Sequence, residues 1–219
     1  LALIKVGAGE QKLSIATATK GAITVKEGQL TLNNGAGSIF SGGVTGDPAD
    51  YASSYVDIKS GATLQLNGPV GTGDPDNDTY EWVRYLTGVS GSILEFEGTG
   101  NHNIQIGLIA TDDVDAGTGG IQNPDFAGTI QTNNVNYIKV ENTGSSGNSW
   151  DGHQVISGSF AGAGAVHKEG DGRLELTGDN SAYTGQVYLD DGTLILNNAA
   201  DKALNNNGVI VDKGKVAIG

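Results

Sequence analysis

One short phrase is written twice within residues 167–200: Gly172 precedes Leu174 and Leu176, and Gly192 precedes Leu194 and Leu196. Alternating apolar residues send one set of side chains to one face and their neighbours to the other, the pattern of a half-buried strand. Each phrase therefore reads as a turn followed by a strand. The same phrase recurs at Gly28 (EGQLTLNN), Gly61 (SGATLQLNG), Gly91 (SGSILEFEG) and Gly214 (KGKVAIG), with one extra residue before Leu64 and Leu94. The echo runs the length of the chain and constrains its fold more than any other feature.

Gly172 to Gly192 is 20 residues and Gly192 to Gly214 is 22, whereas Gly28 to Gly61 and Gly61 to Gly91 are 33 and 30. A period near 20 is too short for the common helical repeats, and no segment holds a helical period. The expectation is an all-β solenoid with one strand per repeat and roughly ten coils. Strands stacked ~4.8 Å apart would make it a rod on the order of 50 Å long. The 81 residues from Gly91 to Gly172 have room for about four periods. NIQIGLIA, GTIQT, YIKVEN and HQVISGSF read there as degenerate coils.

No Pro- or Ser-rich linker interrupts the pattern, so residues 1–219 read as one domain, with loop insertions near 44–57, 68–88, 111–127 and 142–153. The 36 glycines serve frequent left-handed corners, which Gly takes without steric cost. Asn33-Asn34, Asn197-Asn198 and Asn205 to Asn207 follow apolar runs in the same role. Both ends, LALIKV and KVAIG, are strand-like, and the expectation is a slice of a longer chain. The net charge of −13 is the wrong sign for a phosphate-binding surface and argues against nucleic acid. No apolar run approaches the ~18 residues of a membrane-spanning helix. Zero cysteines do not locate the protein, since stacked backbone ladders need no staples.

The fullest phrase comprises Lys168, Gly170, Gly172, Leu174, Leu176, Gly178, Asn180, Tyr183, Gly185, Val187, Gly192, Leu194 and Leu196. It resembles the passenger-associated transport repeat of bacterial autotransporters, also described as an autotransporter-associated β-strand repeat. The likeness is good over 166–198 and looser at 22–34, 57–68 and 211–219; roughly 100–165 departs from it. The resemblance implies a right-handed parallel β-helix, displayed on or released from the surface of a Gram-negative bacterium, often as the stalk of an adhesin. It brings no catalytic residues with it.

The candidate sites are few. The insertion at 68–88 sets Asp74, Asp76, Asn77 and Asp78 beside Tyr80, Trp82 and Tyr85. The carboxylates at alternating positions are candidate Ca²⁺ ligands, against the plainer reading of an acidic turn; no other cofactor is expected. Asp112, Asp113 and Asp115 form a weaker acidic turn. Tyr80, Trp82, Arg84 and Tyr85, with Trp150, form a candidate glycan-stacking set, against the plainer reading of aromatics that cover the rod.

Nucleophile and metalloprotease motifs are absent, and His102, His153 and His167 are scattered singly. Glu95 and Glu97 share an outward face and, with Glu81 and Arg84, are the residues to suspect if the chain cleaves polysaccharide. Equivalent positions in other coils are also polar, namely Thr31, Gln65 and Glu175, which points to solvation. The expected function is a non-enzymatic surface or secreted scaffold whose loops meet glycans or cell-surface proteins. A polysaccharide lyase or hydrolase is the alternative, and a purely structural segment that self-associates end to end or laterally is the third reading.

Overall fold

A computed structural model describes residues 2–15, 22–34, 55–67, 81–83, 85–97, 104–108, 124–133, 136–140, 152–204 and 207–219. Twenty strands, β1 to β20, are present among them and every strand pairing is parallel, which makes the chain a parallel β-helix. The strands stack on three faces. The first face carries β1 (Leu3–Lys5), β3 (Ile23–Val25), β5 (Tyr55–Ile58) and β8 (Tyr85–Gly88), then β13 (His153–Ile156), β16 (Arg173–Leu176), β18 (Thr193–Leu196) and β20 (Lys215–Ile218). The second carries β2 (Glu10–Ile15), β4 (Gln29–Asn34), β6 (Thr63–Asn67), β9 (Ile93–Glu97), β11 (Thr129–Thr132) and β14 (Ser159–Gly162). The third carries β7 (Glu81–Val83), β10 (Ile104–Leu108), β12 (Asn136–Val140), β15 (Val166–Glu169), β17 (Val187–Leu189) and β19 (Val209–Val211).

The register follows the echo. Leu30 pairs with Leu64 and Leu64 with Leu94, while Leu174 pairs with Leu194 and Leu194 with Val216. Like stacks on like, and these inward columns form one continuous apolar core. The extra residue after Gly61 and Gly91 is absorbed at the corner, where Ala62 and Ser92 are buried.

Two expectations change. Among the described residues the repeat holds two strands in the terminal parts and three in the middle, rather than one, because a turn of the rod has more than one face to cover. From Gly91 to Gly172 the described residues cross the first face at Asp125–Phe126 and at β13. Likewise, the last part of the stretch expected as an insertion at 68–88 is β7 and β8; their short runs carry no glycine-leucine phrase to mark them.

The echo also changes face. In the N-terminal half the phrase turns from the first face to the second, with left-handed corners at Gly28, Gly61 and Gly91 (φ +66°, +73° and +83°). In the C-terminal half it turns from the third face to the first, with corners at Gly170, Gly192 and Gly214 (φ +71°, +73° and +110°). The middle turns join the two phases. There the first face narrows to a two-residue rung, with Gly88 bridged to Phe126 and Asp125 to Val155. Inside that junction the buried Gln154 side chain pairs like a strand residue: its Oε1 accepts from Leu86 N (3.2 Å), and its Nε2 donates to Leu86 O (3.0 Å) and Pro124 O (2.8 Å).

Corners and irregular turns are closed by a few polar side chains. Lys168 is fully buried, and its Nζ donates to the carbonyls of Glu169 (2.6 Å), Gly170 (2.7 Å) and Asp191 (3.1 Å). Lys5 does the same at the first corner, to Val6, Gly7 and Glu27. The spacing Lys-x-Gly-x-Gly is common to Lys5-Gly7-Gly9 and Lys168-Gly170-Gly172, a second echo that sequence reading passed over.

Asn180, also fully buried, continues the second face where no strand runs: its Oδ1 accepts from Phe160 N (2.6 Å) and its Nδ2 donates to Ala203 O (2.9 Å). Asn180→Ala leaves both backbone groups unpaired and is expected to cost roughly 2–3 kcal/mol in urea unfolding. Tyr183 packs against Phe160, with ring centroids 5.6 Å apart, and donates its hydroxyl to Gly164 O. Burial pushes its phenol up to about 12.

Beside Asn180 the surface turn is held by Asp179, which accepts from Ser181 Oγ (2.6 Å) and Ser181 N (3.0 Å) and from Lys202 Nζ (3.0 Å). These donors, Ser181 foremost, lower the Asp179 carboxyl to about 2 from the ordinary 3.8. A depressed carboxylate contributes stability that is complete above its unfolded value and is lost as the pH falls through the folded one. Urea midpoints between about pH 4 and about pH 2 should therefore fall more steeply for the native chain than for Asp179→Asn.

Candidate functional site

The outward side of the second face shows what its polar residues do. Thr31 Oγ1 lies 3.0 Å from both Glu10 Oε1 and Gln65 Oε1, and Gln65 Nε2 donates to Glu95 Oε2 at 3.0 Å. Thr31 is only 1% exposed and Gln65 8%. These residues are tied into a ladder along the rod rather than simply solvated, because parallel in-register stacking sets outward side chains one rung apart. Glu95 is a member of that ladder. Glu97 lies two residues further along the same strand, whereas Glu81 lies on β7 of the third face. The suspected catalytic set is therefore divided between two faces, with Arg84 outside the described residues.

The candidate glycan set is divided as well. Trp82 lies on β7 of the third face and Tyr85 opens β8 of the first, opposite Tyr55 in register. Tyr80, Trp150 and the candidate metal ligands Asp74, Asp76 and Asp78 lie outside the described residues, as do Asn77, Asp112, Asp113, Asp115 and His102.

The aromatic cluster that does form is a different one. Tyr137, His167 and Tyr188 stack on the third face, with centroids 4.6 Å and 4.3 Å apart, and His167 Nδ1 is 2.7 Å from Asp190 Oδ2. The three share one outward register column, visible in the sequence once NYIK, VHKE and VYLD are aligned. His167 is covered by a ring on either side and is held by Asp190, so it is spent within the stack. His153 is similarly engaged with Glu175, at 2.9 Å.

The open site lies on the outward side of the first face, at the junction rung. Tyr55, Asp57 and Lys59 from the β5 rung, Thr87 and Ser90 from the β8 rung, and Asp125 from the junction line a groove of about 700 Å³. Register puts Asp57, Thr87 and Asp125 in one column on successive rungs. Among its lining residues Ala127 is small, whereas Tyr55 and Lys59 are long. Val89 beside it is 46% exposed.

Both carboxylates are fixed in place. Lys59 Nζ meets Asp57 Oδ2 at 2.7 Å and Thr87 Oγ1 lies 3.4 Å from Asp57 Oδ1. Asp125 accepts from Ser157 N (2.9 Å) and Ser157 Oγ (2.6 Å). Two rungs set the carboxylates' backbones about 9.6 Å apart. Sequence reading missed this site because YVDI and PDFAG are distant along the chain and neither carries a motif.

Residues 166–199 match the model of the passenger-associated-transport-repeat. A stretch of 50 residues is 46% identical to the protein named adhesin BmaC autotransporter of Brucella suis biovar 1 (strain 1330), covering 23% of this chain and 2% of that protein. No solved structure matches. Residues 166–199 are an autotransporter passenger repeat, built from Lys168, Asn180, Tyr183 and the glycines that let successive turns touch.

Proposed function

We propose that this chain, with a passenger repeat at residues 166–199, is a stretch of autotransporter passenger with an adhesin-like role. It is a rigid, non-enzymatic β-helical scaffold that holds binding surfaces outside the bacterial outer membrane. One observation carries the reading: the repeat's polar residues are consumed by stacking. Lys168 closes a corner, Asn180 bridges two turns and Tyr183 fills the core, which leaves none of them for chemistry on a substrate. The adhesin name of the Brucella relative supports the surface role.

Beads coated with the purified chain should adhere to cultured host cells in excess of beads coated with the urea-unfolded chain. The same chain, incubated with a panel of polysaccharides, should release neither reducing ends nor unsaturated sugars. Absence of adhesion would sink the adhesin-like role, and catalytic release of either product would make the chain an enzyme.

A further inference from the structure

The geometry points to the first-face groove at the junction rung as a binding site for a neutral oligosaccharide. This deepens the adhesin-like reading and rests on it. A cavity of about 700 Å³ is within the range of ligand sites, roughly 300–1,000 Å³, and is larger than an ion needs. Its hydrogen-bonding groups form a line: Asp57, Thr87 and Asp125 recur rung by rung, about 4.8 Å apart along the rod. A sugar chain laid along that line presents hydroxyls along its whole length. Tyr55 and the exposed Val89 supply apolar surface at the margin for the C–H faces of the rings.

Charge selects the class of sugar. Asp57 is balanced by Lys59 and Asp125 is held by two donors of Ser157, so the carboxylates act as oriented acceptors rather than as bare anions awaiting a cation. Oriented acceptors suit hydroxyl donors, which bring no charge of their own. Sialylated and sulfated sugars meet a chain of net charge −13 and are disfavoured by its field.

The test is a titration of the purified chain with neutral oligosaccharides (cellohexaose, maltohexaose and lacto-N-tetraose) and with a sialylated lacto-N-tetraose. Thr87→Arg fills the groove from its floor, Asp125→Asn weakens an acceptor, and Ile195→Arg places the same bulk outward on the same face in β18. Circular dichroism checks that each variant is folded. At least one neutral sugar should bind the native chain and Ile195→Arg alike, with affinity reduced tenfold or more in Thr87→Arg and severalfold in Asp125→Asn. Equal binding by Thr87→Arg, binding of the sialylated sugar alone, or no binding of any neutral sugar each overturns the groove assignment. Bead adhesion separates the two readings: adhesion retained in Thr87→Arg sinks the groove and leaves the adhesin-like role, whereas no adhesion by the native chain sinks that role itself.

Discussion

Lys168→Ala should lower the unfolding free energy by about 3 kcal/mol or more, since it removes three hydrogen bonds from a charged donor, each worth roughly 1.5–3 kcal/mol, and leaves buried carbonyls unpaired. The native ammonium is fully buried and gives its donors to the carbonyls of Glu169, Gly170 and Asp191 at the corner between the third and first faces. Those carbonyls point into the rod because the corner is tight, with Gly170 and Gly192 both left-handed. Lys168→Met keeps most of the stem and removes only the charge and the donors, so it should recover part of the packing loss and none of the polar loss. Urea unfolding of the two variants measures the difference. A loss below 1 kcal/mol in Lys168→Ala would mean that water replaces the ammonium, and the corner would not be sealed.

Gly178→Ala is expected to destabilise by about 3 kcal/mol or more, above the usual 1–3 kcal/mol of an overpacked site. A Cβ on Gly178 would stand 1.6 Å from the carbonyl oxygen of Gly158, and one on Gly158 would stand 1.7 Å from that of Gly128. The obstacle is backbone rather than a side-chain tip. That backbone is pinned by its own ladder, since Gly158 N donates to Phe126 O at 3.0 Å and Ser159 N to Gly128 O at 3.1 Å. Gly9→Ala is the control: nothing lies within 4 Å of its added Cβ and its φ is outside the left-handed region, so its urea midpoint should match the native one. If the two substitutions had equal effects, close approach between turns would not be what this column of glycines serves.

These glycines show how far local sequence reading reaches. The left-handed glycine corners were legible because a positive φ is a property of one residue and its neighbours, whereas the described Asn residues expected in the same role are not left-handed: among the described residues Asp201 is the one non-Gly residue with positive φ. Gly128, Gly158 and Gly178 need no unusual φ; they are small because another turn lies against them, and nothing in their own neighbourhood says so. The same holds for polar residues. Gln65 and Glu95 read correctly as outward, yet their ladder depends on which rung lies beside which. Tyr137, His167 and Tyr188 were individually plain, and their stacking became visible only with the register. Glu81, suspected alongside Glu95 and Glu97, lies on a different face for the corresponding reason: nearness along the chain is not nearness in space when a corner of the rod intervenes.

Sequence by itself determined the all-β repeat, the parallel stacking of like phrases and the passenger-repeat character of residues 166–199, because alternation, corner glycines and a motif are local properties that survive without a partner. Only the tertiary structure decided that the phrase serves the first-to-second corner in one half and the third-to-first corner in the other, and that Asp57 and Asp125 share a groove. Rung pairing is long-range. A loop of any length can leave the rod and return without disturbing register, so distance along the chain carries no record of which residues meet.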